Sequence, residues 1–221
     1  MSTYLVTGSN RGIGLELCRQ LKARGEEVIA TCRKSSNELD DLNLRVEIGV
    51  DISSGNSVIK FRDKLKGQKI DVLIHNAGIH ESNTLSDINP ESIKRQFEVN
   101  ALSPLCFTRA MIDNLKQGSK IILITSRMGS IEDNTSGGSY GYRMSKAALC
   151  MAGKSLSIDL HPKGISVAIL HPGLVSTRMT GFISNGITTK QSATGLIDRI
   201  DSLSLINTGT FWHANGQILP W

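Results

Sequence analysis

Tyr142 and Lys146 stand four residues apart in Tyr140-Gly141-Tyr142-Arg143-Met144-Ser145-Lys146, a spacing that puts both on one face of a helix. A phenol, with an ordinary pKa near 10, transfers protons poorly at neutral pH, and a neighbouring ammonium favours its ionised form. At about 4 Å and an effective dielectric of about 20, such a pair is worth about 4 kcal/mol, or about three pKa units. That suffices for proton transfer at an oxygen atom.

A second chemical feature lies near the start of the chain, in Thr7-Gly8-Ser9-Asn10-Arg11-Gly12-Ile13-Gly14. Three glycines permit a sharp turn and close backbone approach, and the free N–H groups of a following helix would favour a pyrophosphate. Where a dinucleotide-binding fold places an acid for a ribose 2′-hydroxyl, the chain reads Thr31-Cys32-Arg33-Lys34, with no acid before Glu38. Arg33 can meet a 2′-phosphate with two hydrogen bonds, and Arg11 could reach the same group, so the expected cofactor is NADP(H) in preference to NAD(H).

These residues need a scaffold that brings loops together. Tyr4 to Thr7 reads as a strand, Ile13 to Arg24 as a helix, and Val28 to Cys32 and Val46 to Val50 as strands. Val58 to Leu65 follows as helix and Asp71 to His75 as strand. One long helix is expected from Pro90 toward Leu115, then a strand over Lys120 to Thr125, a helix over Gly141 to Leu160 and a strand over Ile165 to Leu170. Alternation of this kind predicts an α/β fold. It would be a single domain over 1–221, a doubly wound parallel sheet of seven strands in the Rossmann manner, with ligands beyond the carboxyl ends of the strands.

A chain of 221 residues, 39% hydrophobic and 20% charged, has the composition of one globular domain. No apolar run approaches a membrane span and no secretory signal is visible, so a cytoplasmic location without membrane association is expected. Cys18, Cys32, Cys106 and Cys150 are widely separated and form no metal-binding pair. The net charge of +5 is scattered rather than gathered into a basic run, which argues against nucleic-acid binding.

In ordered succession the chain carries the TGSNRGIG turn, Asp51, His75-Asn76-Ala77-Gly78, Asn100, Ser126, the Tyr-x-x-x-Lys pair, and Pro172-Gly173 followed by Thr177. With these it resembles the short-chain dehydrogenase/reductase family over nearly its whole length. The resemblance implies Tyr142 as general acid or base, Ser126 hydrogen-bonding the reacting oxygen, and Lys146 lowering the phenol pKa and holding the nicotinamide ribose. It implies that Asn100 joins them to a proton relay through water. It also implies a cofactor seat made from Gly8, Ser9, Asn10, Arg11, Gly12, Ile13, Gly14, Arg33, Asp51, Ile52, Asn76, Ala77, Gly78, Tyr142, Lys146, Pro172, Gly173, Val175 and Thr177. Asp51 or Ser53 could instead cap a helix. Family members often carry Asn where His75 stands, and here that residue reads as packing.

Small size, the Ser126-Arg127-Met128-Gly129-Ser130 run and the closing Asn215-Gly216-Gln217-Ile218-Leu219-Pro220-Trp221 look most like the C-factor and sniffer-type carbonyl reductase branch. A small carbonyl or alcohol substrate is therefore expected, beside a short flap over Arg178 to Lys190. His80, Met128, Met179 and Phe182 are candidates for its lining. The C-factor likeness keeps a second reading open, a cofactor-binding signalling or regulatory protein with incidental turnover. Enoyl reduction is a third, by analogy, but Tyr140 and Lys146 miss that branch's longer spacing by one. Ala147, Ala148, Met151 and Ala152 could pair two copies as a dimer or tetramer, or pack on the sheet.

Overall fold

The computed structural model describes all 221 residues. Its elements are β1 (Thr3–Thr7), α1 (Gly12–Ala23), β2 (Glu27–Cys32), a short α2 (Asn37–Asp40), β3 (Arg45–Ile48), α3 (Gly55–Lys64) and β4 (Ile70–His75). They continue with α4 (Pro90–Phe97), α5 (Ser103–Ala110), β5 (Leu115–Ile124), α6 (Tyr140–Asp159), β6 (Ser166–His171), α7 (Thr189–Ser202) and β7 (Phe211–His213). The strands form one seven-stranded sheet in the order β3-β2-β1-β4-β5-β6-β7, and every pairing is parallel. This is the doubly wound architecture that the alternation required.

Strand side chains alternate between the two faces, so each face builds its own core. Val6, Ile74, Ile122 and Leu170 face α1 and α7, where they meet Leu17, Leu21, Leu196 and Ile200. Leu5, Leu73, Ile121 and Val167 face the other way, onto Phe61, Phe107 and Leu149. The order reverses between β1 and β4, which opens a crevice at their carboxyl ends. No helix is long and apolar enough to cross a membrane.

The expected long helix from Pro90 is interrupted. A π turn, Glu98–Leu102, lies between α4 and α5, with the N–H of Ser103 reaching back to the carbonyl of Glu98. The cause is in the sequence: Pro104 has no N–H to offer the Asn100 carbonyl four residues earlier, and its ring crowds that carbonyl. α7 and β7 lie beyond the last element that periodicity marked.

His75 is wholly buried, its ring edge-on to Phe107 and its Nε2 2.8 Å from Thr108 Oγ1. Burial pushes its pKa down to about 3, and burial beside His213 and Arg127 does the same to His171. Both stay neutral in the fold while unfolded histidine takes a proton below about 6.5. Stability is therefore complete above that value and is lost as pH falls toward 3, on the order of 1 kcal/mol per pH unit for each ring. Urea unfolding at pH 7.5 and pH 5 should show this loss, and His75→Asn should shrink it. An unchanged loss in the variant would exclude His75 as a contributor.

Candidate active site

The glycine turn is shaped by β4 as much as by its own glycines. Asn76 Nδ2 donates to the carbonyls of Thr7 and Gly8, both at 3.0 Å, while Thr7 Oγ1 accepts from the N–H groups of Asn76 and Ala77. A Cβ on Gly14 would lie 2.3 Å from the Gly8 oxygen and 2.4 Å from Asn76 Nδ2, so only glycine lets α1 approach this clasp. Ser9 is buried, its hydroxyl donating to the Val6 carbonyl, and the Asn10 carbonyl accepts from Ser36.

α3, α4 and α7 are capped by the side chains of Ser54, Asn89 and Thr188. Arg11 at the head of α1 makes no such bond, which leaves the amides of Gly12, Ile13 and Gly14 to face the crevice between β1 and β4. Arg11 and Arg33 are exposed and take part in no ion pair. Asp51 feels the Arg33 charge and is held below the usual carboxylate range, chiefly by its hydrogen bond from Ser53. Neither Asp51 nor Ser53 caps α3, because Ser54 does so. Ile52 is partly buried against the core.

Across the crevice, the segment after β6 brings Pro172, Gly173, Val175 and Thr177 toward the same turn. Ser192 donates to the Pro172 carbonyl, Val175 bridges to Ile187, and Thr177 Cγ2 lies 3.8 Å from where a Gly12 Cβ would stand. Free helix amides, two unpaired guanidiniums and glycine-lined contact surfaces fit a dinucleotide phosphate chain.

Tyr142 and Lys146 occupy the buried face of α6, 9% and 5% exposed. Burial pushes the Tyr142 phenol up to about 12, with the Ser126 hydroxyl acting in the opposite direction. Burial also brings Lys146 down to about 8. The expected stabilisation of a phenolate by Lys146 is not found. Its Nζ donates to the Ile124 carbonyl at 2.9 Å and lies 5.7 Å from the phenol ring centroid, so burial governs the phenol and Ser126, not Lys146, opposes it. Ser126 opens the 3-10 turn after β5, its Oγ accepting from the Met128 N–H.

Asn100, fully buried in the π turn, bonds to Ile79 N–H and C=O and donates to Ser145 Oγ at 3.0 Å. Both its amide hydrogens are thereby used, so a side-chain relay could engage only the remaining lone pair of Oδ1. A Cβ on Gly78 would meet Asn100 Oδ1 at 3.1 Å and Lys146 Nζ at 3.6 Å, which seats the end of β4 directly against the pair.

Two participants escaped the sequence reading. Ser145 links Asn100 to the Tyr142 carbonyl, and Thr7 organises the β1–β4 junction. His80, a candidate for the substrate lining, packs on Tyr142. A small hydroxyl residue three positions after the tyrosine, on its helical face, was the available signal for Ser145.

Comparison with known proteins agrees with this fold. The family described as short chain dehydrogenase matches residues 2–187. The chain is 42% identical over the full length of both sequences to the 1-hydroxy-2-glutathionyl-2-methyl-3-butene dehydrogenase of Rhodococcus sp. (strain AD45). It is 43% identical to the C-signal protein of Myxococcus xanthus, over 69% of this chain and 93% of that one. Among solved structures, the carbonyl reductase Sniffer of D. melanogaster superposes with a TM-score of 0.93 at 31% identity, covering all of both chains. The NADPH-bound carbonyl reductase from chicken fatty liver gives 0.91 at 30%, covering 100% of this chain and 99% of that one. The fold and the full-length likeness thus agree, the C-factor and sniffer branch included, and the chain belongs to the short-chain dehydrogenase family.

Proposed function

We propose that this protein is an NADP(H)-dependent oxidoreductase acting on a carbonyl or alcohol carbon of a small molecule. The observation that carries this reading is the buried Tyr142 beside Ser126, at the same carboxyl edge of the sheet as the glycine turn and Arg33. Bound NADPH would supply the hydride. Gly8 to Gly14 would hold its pyrophosphate, Arg11 and Arg33 its 2′-phosphate, and Asp51-Ile52 its adenine. Asn76, Ala77 and Gly78 would line the cofactor seat with Lys146, which would hold the ribose, while Pro172 to Thr177 would hold the carboxamide.

Tyr142 would give its phenolic proton to the carbonyl oxygen, and Ser126 would donate a hydrogen bond to that oxygen. The high phenol pKa keeps the proton in place until the oxygen becomes basic. An NADPH-bound carbonyl reductase of the same fold supports the cofactor and the reaction class. A screen of aldehydes, ketones and quinones, with a glutathione-conjugated alcohol included because of the Rhodococcus relative, tests the reading through NADPH oxidation or NADP+ reduction.

Arg33→Ala should weaken NADPH binding about tenfold to a hundredfold and leave NADH binding nearly unchanged, as loss of a charge-assisted pair predicts. Parallel fluorescence titrations read this directly. Equal NADPH and NADH affinities in the parent protein would remove the role given to Arg33.

Likeness to C-signal favours a second reading, in which cofactor binding serves signalling. Tight NADPH binding with no turnover across the screen would select it. Met144, Met151 and Ile158, exposed at seven-residue spacing along α6, support association of two copies through that helix, which light scattering tests.

A further inference from the structure

His80 lies five residues beyond the end of β4, and its imidazole meets the Tyr142 ring edge-on, with centroids 4.6 Å apart and an interplanar angle of 64°. The backbone of Met179, in the 3-10 turn after Thr177, lies beside the same imidazole. His80 therefore stands between the proposed proton donor and the flap. Its Nε2 is closed off from solvent and has no hydrogen-bond partner.

A buried polar nitrogen left unpaired carries a desolvation penalty that a correctly placed ligand group removes. Burial lowers the His80 pKa, so the ring is neutral near pH 7 and offers one donor and one acceptor nitrogen. A hydroxyl both donates and accepts, and so pairs with Nε2 in either tautomer. The two ring centroids are only 4.6 Å apart, so a group that pairs with Nε2 must sit close to an oxygen held at the Tyr142 phenol, and the adjoining carbon is the nearest place to carry it.

We infer that His80 is a specificity-determining residue whose Nε2 hydrogen-bonds a hydroxyl on the carbon next to the reacting carbonyl, making α-hydroxy ketones the preferred substrate class. This rests on the carbonyl reductase reading above. The ring contact with Tyr142 fixes where that hydroxyl sits, and the orphaned nitrogen supplies the selectivity.

The probes are cyclohexanone and 2-hydroxycyclohexanone, with Kd for the NADPH-loaded protein and kcat/KM measured for each. The parent protein should favour the hydroxy ketone by roughly tenfold. His80→Phe, which keeps an aromatic ring against Tyr142 without the nitrogens, should bring the ratio near one. His80→Gln, which places an amide near the Nε2 position, should restore most of it. The readout is a ratio within one protein, so a general loss of folding cancels.

Equal handling of the two ketones by the parent protein, or a ratio preserved in His80→Phe, would overturn the inference while leaving carbonyl reduction intact. If NADPH binds but neither ketone binds or reacts, the reductase reading and the inference both fall.

Discussion

Tyr142→Phe should lower kcat for carbonyl reduction by about a hundredfold to ten-thousandfold while NADPH affinity stays within about twofold. The substitution keeps the buried ring and its contact with His80 and removes only the hydroxyl proposed as the proton donor. Because burial pushes that phenol up to about 12, it is protonated at neutral pH and needs no prior ionisation to act as an acid. Alcohol oxidation requires the opposite form. Its rate should climb about tenfold per pH unit through the neutral range, as the ionised fraction grows below the pKa. Stopped-flow reduction assays and a pH profile of oxidation check both halves, and near-normal turnover by Tyr142→Phe would end the proton-donor role.

Gly14→Ala should cost about 1–3 kcal/mol of stability and weaken NADPH binding by more than about a hundredfold. Its Cβ would push into the Gly8 carbonyl and Asn76 Nδ2, the two groups whose bond draws the turn onto β4. Gly12→Ala is the informative contrast. Its Cβ would find only Thr177 Cγ2, at 3.8 Å, and the penalty there is the left-handed backbone, about 1 kcal/mol. Thermal melts and NADPH titrations on the two variants separate a disrupted clasp from ordinary backbone strain. Unaltered NADPH affinity in Gly14→Ala would show that the clasp does not shape the binding surface.

Six of the seven strands and the principal helices up to α6 could be read from alternation and helical spacing, because each buries a face whose period is written locally. β7 spans only Phe211–His213, too short for a period to register. α7 announced itself less through its apolar face than through the capping box of Thr188 and Gln191. The interruption after Phe97 was legible in Pro104, once its missing N–H is traced back four residues.

At the site, fixed spacings marked Tyr142, Lys146 and the glycine turn. Contacts made across the sheet left no such mark: Asn100 with Ser145, Asn76 with Gly8, His80 with Tyr142. The electrostatic expectation missed for a related reason. Sequence spacing gives the separation along a helix, but how far burial outweighs charge depends on where Lys146 finds its hydrogen bond.

The π turn between α4 and α5 carries a further consequence. An ordinary helical residue at Pro104 would allow the regular ladder to close, relieving a local strain and tightening the whole segment. The same repair would turn Asn100 relative to Ile79 and Ser145, whose bonds hold it beneath Gly78 and Lys146. Thermal robustness and the placement of Asn100 thus pull this stretch of chain in opposite directions, and a screen for tougher variants would be drawn toward the proline that sets that placement.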